Sequence, residues 1–271
     1  MTGSFIPPLR PRRVRTLFVS DLHLGAWGSQ AGRFLEFLRQ TEAETIYLVG
    51  DILDIWHGGK PNWSATHDAV MDELRARIRA GVRVVYLPGN HDAELRKRLG
   101  RQFQGMELVN EAIHQSADGR RFLVLHGDQC DARLLRFHFM TRLGSRLDAG
   151  LRRFDAWARR GLSRSFHREP ERNLVEMLVT GVNMLMTAGN RYEGRLMELV
   201  RAREADGVVC GHFHKPALRN VEGLVYANCG DWIDSYTAMV ETEDGRLELL
   251  ELRPVAKRQS RKLPQPAEVR V

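Results

Sequence analysis

The 271-residue chain is short of several things, and each shortage removes a class of function. No run of about 18 apolar residues occurs, so no transmembrane helix is expected. The opening stretch MTGSFIPPLRPRRVR lacks the apolar segment of a secretory signal, which points to the cytoplasm. There are three cysteines, Cys130, Cys210 and Cys229. An odd, widely spaced set makes no disulfide framework and reads as buried, reduced thiols. No internal repeat is present. No recognised base-reading motif appears either, which argues against a nucleic-acid reader without catalysis.

What is present is an ordinary globular balance, 43% hydrophobic and 28% charged, enough for a sizeable core. The formal charge of +7 favours anionic partners. Phosphorylated substrates, nucleic acid and acidic lipid all qualify, and charge alone does not choose among them.

Five short apolar runs organise the chain: TLFVSDLH (16–23), TIYLVGD (45–51), VVYLPGNH (84–91), RFLVLHGD (121–128) and GVVCGHFH (207–214). Each opens with β-favouring residues and reads as a buried strand. Each then stops at a polar residue able to bind metal, usually beside glycine. Between the first strands, Phe34, Leu35, Phe37 and Leu38 mark one helix, and Val70, Met71, Leu74 and Ile78 another, with Gly81 a plausible stop. Strand, helix, strand, helix implies βαβ units with right-handed crossovers. In such sheets ligands bind beyond the carboxyl ends of the strands, so the loaded ends should converge.

The last third reads as consecutive strands, LVYANCGDW, YTAMVET and RLELLELR, with a hairpin turn at Glu243–Gly245 and a second sheet packed on the first. The expected organisation is a flexible segment 1–13, a domain 14–253 with an arginine-rich helical insertion at about 131–205, and a disordered basic tail 254–271. Pro170 suits a helix start inside the insertion.

Asp21, His23, Asp51, Asn90, His126, His212 and His214 stand at the strand ends. Carboxylate, imidazole and amide without cysteine suit Mn²⁺, Zn²⁺ or Fe rather than Ca²⁺ alone. Seven donors are too many for one ion, whereas two ions sharing a bridging carboxylate would use them. Paired ions about 3.5–4 Å apart clamp the attacking and leaving oxygens of a phosphoryl displacement and acidify bound water. A lone strand-end Asp or His is usually a cap or turn residue. Seven with these spacings are not.

In order, DLH, GDILD, GNHD, HGD and GHFH resemble the five motifs of the calcineurin-like metallophosphoesterases, from Asp21 to His214. The resemblance implies an α/β fold of two packed mixed sheets flanked by helices, with the insertion beside the site. It implies two divalent ions, Mn²⁺ first and Zn²⁺ or Fe as alternatives. Asp21, His23 and His214 would hold one ion, and Asn90, His126 and His212 the other, with Asp51 bridging them. A metal-bridging hydroxide would attack phosphorus in line. His91 would stabilise the transition state or protonate the leaving oxygen, oriented by Asp54. An imidazole beside a carboxylate can carry a proton near neutral pH on chemical grounds alone. Asp92 and Asp128 are read as loop supports.

Size and arrangement resemble the UDP-2,3-diacylglucosamine diphosphatase group of lipid A synthesis, through SDLHLG, GDILDIW, the helical insertion and the two-sheet core. That resemblance implies a nucleotide-sugar lipid substrate, and the basic insertion or tail could touch the inner face of the membrane. Apolar insertion residues such as Leu174, Met177, Leu178 and Met184 could line an acyl groove or form a seam between helices. One departure stands out. The well-established branch of that group reads GNRD where this chain has His91, and the histidine form is shared with phosphatases, phosphodiesterases and nucleases of the superfamily. A nuclease or general phosphodiesterase is therefore the second reading, and a non-catalytic scaffold a remote third, since no ligand position is lost. Around the site, Trp56 and His57 are candidates to reach the substrate, and Arg133 and Arg136 to bind a second phosphate, because guanidinium suits bidentate phosphate contact. His67, His114, His138 and His167 are read as surface or packing residues.

Overall fold

A computed structural model describes residues 11–56, 61–131 and 190–252. His57, Arg133, Arg136, the tail and most of the expected insertion lie outside these residues. Strand β1 (Arg12–Val19) begins two residues before the expected boundary at 14, because Arg12 and Arg13 already pair with Thr41 and Glu42 of β2 (Thr41–Val49).

Two sheets form. In the first, β1, β2, β3 (Arg83–Leu87) and β5 (Met106–Leu108) run parallel, flanked by antiparallel β4 (Gln102–Phe103) at one edge and β11 (Thr237–Glu241) and β12 (Leu247–Glu251) at the other. The second has the order β6 (Ala112–Gln115), β7 (Arg121–Val124), β8 (Gly207–Cys210), β10 (Leu224–Asn228), β9 (Ala217–Val221), with β7, β8 and β10 parallel.

The last third therefore does not build a sheet of its own. Its first strand, β10, joins β8 in the second sheet, while β11 and β12 return to extend the first. The sequence shows β-strands there but not their partners, since register and neighbour are set by which faces must be buried. The turn between β11 and β12 does fall at the expected EDG, with Gly245 at φ +86.

Alternation of side chains along each strand makes a four-layer molecule. Phe18, Tyr47, Val85, Phe122, Val124 and Val209 point between the sheets. Their neighbours Leu17, Val19, Ile46, Leu48, Val84 and Tyr86 face out onto helices α1 (Ala31–Arg39) and α2 (Ala65–Arg79). On the far side Leu123, Leu125 and Val208 meet Leu196, Met197 and Val200 of helix α3 (Asn190–Ala202). The buried residues of α1 are those expected, plus Ala31. Helix α2 opens at Ser64 with a capping box closed by His67, which gives that histidine a structural task. No helix among the described residues is long and apolar enough to cross a membrane.

Candidate metal centre

All five loaded strand ends meet at the carboxyl edge of the two sheets. Three tight groups of donors result: Asp21, His23 and His214; His23, Asp51 and His91; and Asp21, Asp51 and His126. Within them His214 Nε2 lies 3.1 Å from Asp21 Oδ1, His126 Nε2 lies 3.4 Å from Asp51 Oδ2, and the Nε2 atoms of His23 and His214 are 3.4 Å apart. His126 donates from Nδ1 to the carbonyl of Val49 at 2.9 Å, which turns Nε2 toward Asp51. His212 joins none of these three groups. Its ring packs 5.2 Å from that of His126, and its Nε2 is 3.4 Å from Asp131 Oδ2.

The backbone at these residues is unusual. Asp21, His23, Asp51, His212 and His214 all adopt positive φ, between +46° and +73°. A non-glycine residue pays about 1–2 kcal/mol for this conformation. Five such residues at one site are held there by tertiary contacts, and such strain gathers at functional sites. Two glycines make the close approach possible. A Cβ on Gly50 would overlap the His126 ring, and one on Gly89 would overlap Asp51 Oδ1.

Electrostatics follow from the crowding. Burial would raise the Asp51 carboxyl, but His126, His91 and His23 outweigh it and hold it well below the carboxylate range. Burial likewise opposes the ionisation of Asp21, and His214 overcomes it. The imidazoles answer in kind. Despite burial, Asp51 pushes His126 up to about 10, and Asp21 pushes His214 up to about 9. Burial and the neighbouring His91 push His23 down to about 3. The buried carboxylates thus demand positive charge, and divalent cations would supply it in place of the protons.

Three further atoms test the fit. Asp21 Oδ1, Asn90 Oδ1 and His126 Nε2 are buried with no hydrogen-bond partner. Buried polar atoms are rarely left so, and these three come from three different strand ends. With a donor set of nitrogen and oxygen, the residues present fit divalent metal ions.

His91 stands at the mouth of the cluster. Its Nδ1 is 2.9 Å from Asp54 Oδ1, its Nε2 is 4.0 Å from Asp51 Oδ2, and its backbone N–H donates to Asp51 Oδ1 at 2.7 Å. Burial lowers its pKa, but Asp51 and Asp54 more than compensate, so the net shift is upward. The Trp56 ring lies 5.0 Å from the His91 ring, tilted by 31°, which brings Trp56 to the site. His114 is far from it, buried against Glu241 at 2.8 Å between the sheets.

The sequence reads Asp92 as a loop support, and the structure shows which loops it joins. Its Oδ2 accepts from Ile52 N, Leu53 N and Tyr86 Oη, and its Oδ1 from Gly89 N, so one carboxylate ties the Asp51 loop to the Asn90 loop. Arg96 bonds both Pro88 O and Asp128 Oδ1, joining the Asn90 loop to that of His126. Sequence reasoning missed Arg96 altogether; an arginine in the short 3-10 helix Ala93–Arg98, among the basic residues Lys97 and Arg98, carries no signal.

Residues 14–216 match the family described as calcineurin-like phosphoesterase. A UDP-2,3-diacylglucosamine hydrolase from Serratia proteamaculans (strain 568) is 38% identical over 119 residues, 42% of this chain and 48% of that protein. That match spans about half of the relative's length. Proteins of the same name from Cellvibrio japonicus (strain Ueda107) and Ralstonia nicotianae are similar over far more. The first is 31% identical over 81% of this chain and 91% of its own, and the second 30% identical over 79% and 82%.

Proposed function

The chain belongs to the calcineurin-like phosphoesterase family, and from that premise we propose that it is a two-metal hydrolase of a phosphoester or pyrophosphate bond. The observation that carries this is the tight grouping of Asp21, His23, Asp51, His126 and His214, together with the buried, unpartnered atoms on Asp21, Asn90 and His126. Asp21, His23 and His214 would hold one ion, Asn90, His126 and His212 the other, and Asp51 both. Mn²⁺ is the first candidate, with Zn²⁺ or Fe as alternatives. Two such ions polarise a phosphoryl oxygen and make water a nucleophile at neutral pH.

The chain's own residues supply the rest. Asp54 fixes His91 through Nδ1, which leaves Nε2 directed at the cluster. A protonated His91 there places positive charge beside a phosphoryl group and a proton within reach of the leaving oxygen. Trp56 covers one face of that ring and restricts its access to water. His91 also shares a donor group with His23 and Asp51, so the two roles must be separated: as the acid, its loss slows turnover and spares metal binding.

The proposed substrate is UDP-2,3-diacylglucosamine, cleaved at the pyrophosphate to UMP and an acylated sugar phosphate. Support comes from the hydrolases of that name that align over about four-fifths of this chain. Such a substrate would place the enzyme in the cytoplasm against the inner membrane face, where a net charge of +7 favours anionic lipid. His91 favours a second reading, a nucleotide phosphodiesterase or nuclease, because the established diphosphatase branch reads arginine there. The deciding experiment follows ³¹P resonances of the metal-loaded protein with UDP-2,3-diacylglucosamine and, separately, with a cyclic nucleotide and an oligonucleotide. UMP release from the first substrate alone upholds the diphosphatase reading. Cleavage of only the others replaces it.

A further inference from the structure

A sixth strand end reaches the site and supplies no ligand. Strand β10 runs into Asn228-Cys229-Gly230-Asp231-Trp232, buried throughout. Asn228 donates from Nδ2 to the carbonyl of Gly211 at 2.8 Å and accepts the Gly230 N–H on Oδ1 at 2.9 Å. It thereby fixes the backbone immediately before His212, where φ is +73°. Ser20 donates to the Gly230 carbonyl, and the Trp232 N–H donates to the Asp21 carbonyl at 3.1 Å, bracing the Asp21 turn at φ +54°. Trp232 in turn packs its ring against Phe34 and Phe37 of α1, at centroid distances of 4.9 and 5.1 Å.

Asp231 is the centre of this loop. Its Oδ1 accepts the backbone N–H groups of Ile233 (2.7 Å), Asp234 (2.6 Å) and Ser235 (3.3 Å). Its Oδ2 accepts the Ser235 hydroxyl at 3.2 Å and lies 3.8 Å from His214 Nδ1. The opposite nitrogen of that ring, Nε2, faces Asp21. Holding the loop does not require a charge, since an asparagine oxygen would accept the same three N–H groups. A carboxylate 1% exposed is costly unless a cation stands near, and the imidazole it faces is that of His214.

We propose that Asp231 is a positioning residue of the metal centre. Its Oδ2, 3.8 Å from His214 Nδ1, acts through charge rather than a direct hydrogen bond: it favours the proton on Nδ1 and so leaves the Nε2 lone pair for the ion shared with Asp21 and His23, while Asn228 keeps the adjoining turn in its strained form. This rests on the two-metal reading above. A carboxylate behind a metal-binding histidine orients the ring and raises its basicity, and losing such a partner costs 10–100-fold in metal affinity.

The test uses the full chain, stripped of metal. Mn²⁺ titration calorimetry compares the unaltered protein with Asp231→Asn, which keeps the acceptor for the loop and removes the charge. The expected result is two ions bound by both proteins, with one site about 10–100-fold weaker in the variant and the other changed by less than about threefold. Two unchanged affinities overturn the positioning role. Equal weakening of both sites with a lowered Tm also overturns it, because that is the mark of a merely structural loop. Absence of metal binding by the unaltered protein instead removes the two-metal reading. A second measurement stands if the variant does not fold: ¹⁵N-histidine spectra of the Zn²⁺-loaded unaltered protein should show His214 protonated on Nδ1, and an Nδ1 without a proton refutes the proposal.

Discussion

Asp92 offers the sharpest test of how the site is assembled. Burial first, and Asp51 second, push its carboxyl up to about 6, so at pH 7.5 it is ionised and accepts four hydrogen bonds. Asp92→Ala leaves four buried donors without a partner. Each costs about 1–3 kcal/mol, so a loss of roughly 4 kcal/mol or more is expected even with partial relaxation. That is a large share of the 5–15 kcal/mol typical of a domain. Asp92→Asn is milder for a geometric reason. Its oxygen can serve the three donors on the Oδ2 side, which leaves only the Gly89 N–H facing an amide N–H. The expected cost is about 1–3 kcal/mol, and it falls beside Asn90, so metal affinity at that side drops in both variants. Urea unfolding in chelator gives the stabilities, and Mn²⁺ titration the affinities. An alanine variant within 1 kcal/mol of the parent, or an asparagine variant as damaged as the alanine, refutes the assignment of these four bonds as the tie between the loops.

Other expectations are as direct. His91→Ala should lower hydrolysis by about 10²–10⁴-fold while calorimetry still finds two ions; full activity would remove its catalytic role, and loss of an ion would make it a ligand. Gly50→Ala should abolish metal binding, because the new Cβ meets the His126 ring at a φ of +81°; a variant with normal Mn²⁺ affinity contradicts the packing described. Glu241 bridges the sheets, accepting from Thr16, His114, Arg15 and Ala117 N. Burial opposes its ionisation, but these donors hold its pKa down to about 2, against 4.5 as the ordinary value. A depressed carboxyl stabilises the fold above its unfolded pKa and loses that stabilisation as pH falls from about 4.5 toward 2. The shift corresponds to at most about 3 kcal/mol, and roughly 2 after screening at the solvent-facing Arg15. Glu241→Gln should therefore be less stable than the parent at pH 7, with the gap narrowing by pH 3; a gap independent of pH sinks the linkage.

Much of the site was legible because it combines two simple codes. Apolar runs of strand length, each ending in a donor residue, mark strands whose carboxyl ends carry ligands, and parallel βαβ winding brings those ends together. Asp21, His23, Asp51, His126 and His214 were readable in this way, and the structure gathers them. The proximity of His91 and Asp54 followed from motif likeness, and 2.9 Å separates them. The partners of β10, β11 and β12 were not readable. A strand's composition tells that it is buried, and the choice between two sheets depends on which edge is still open when the chain returns.

Residue types and spacing by themselves indicated the βαβ layout and a candidate donor set, and the likeness of the five motifs pointed to the family, because period and ligand preference are local properties of the chain. Only the tertiary structure decided that five of the proposed ligands sit at positive φ, that Asp92 and Arg96 lock loops far apart in sequence, and that Asp231 stands behind His214. These features depend on contacts between segments up to about two hundred residues apart. Their energy comes from burial and hydrogen bonds that exist only once both sheets are packed.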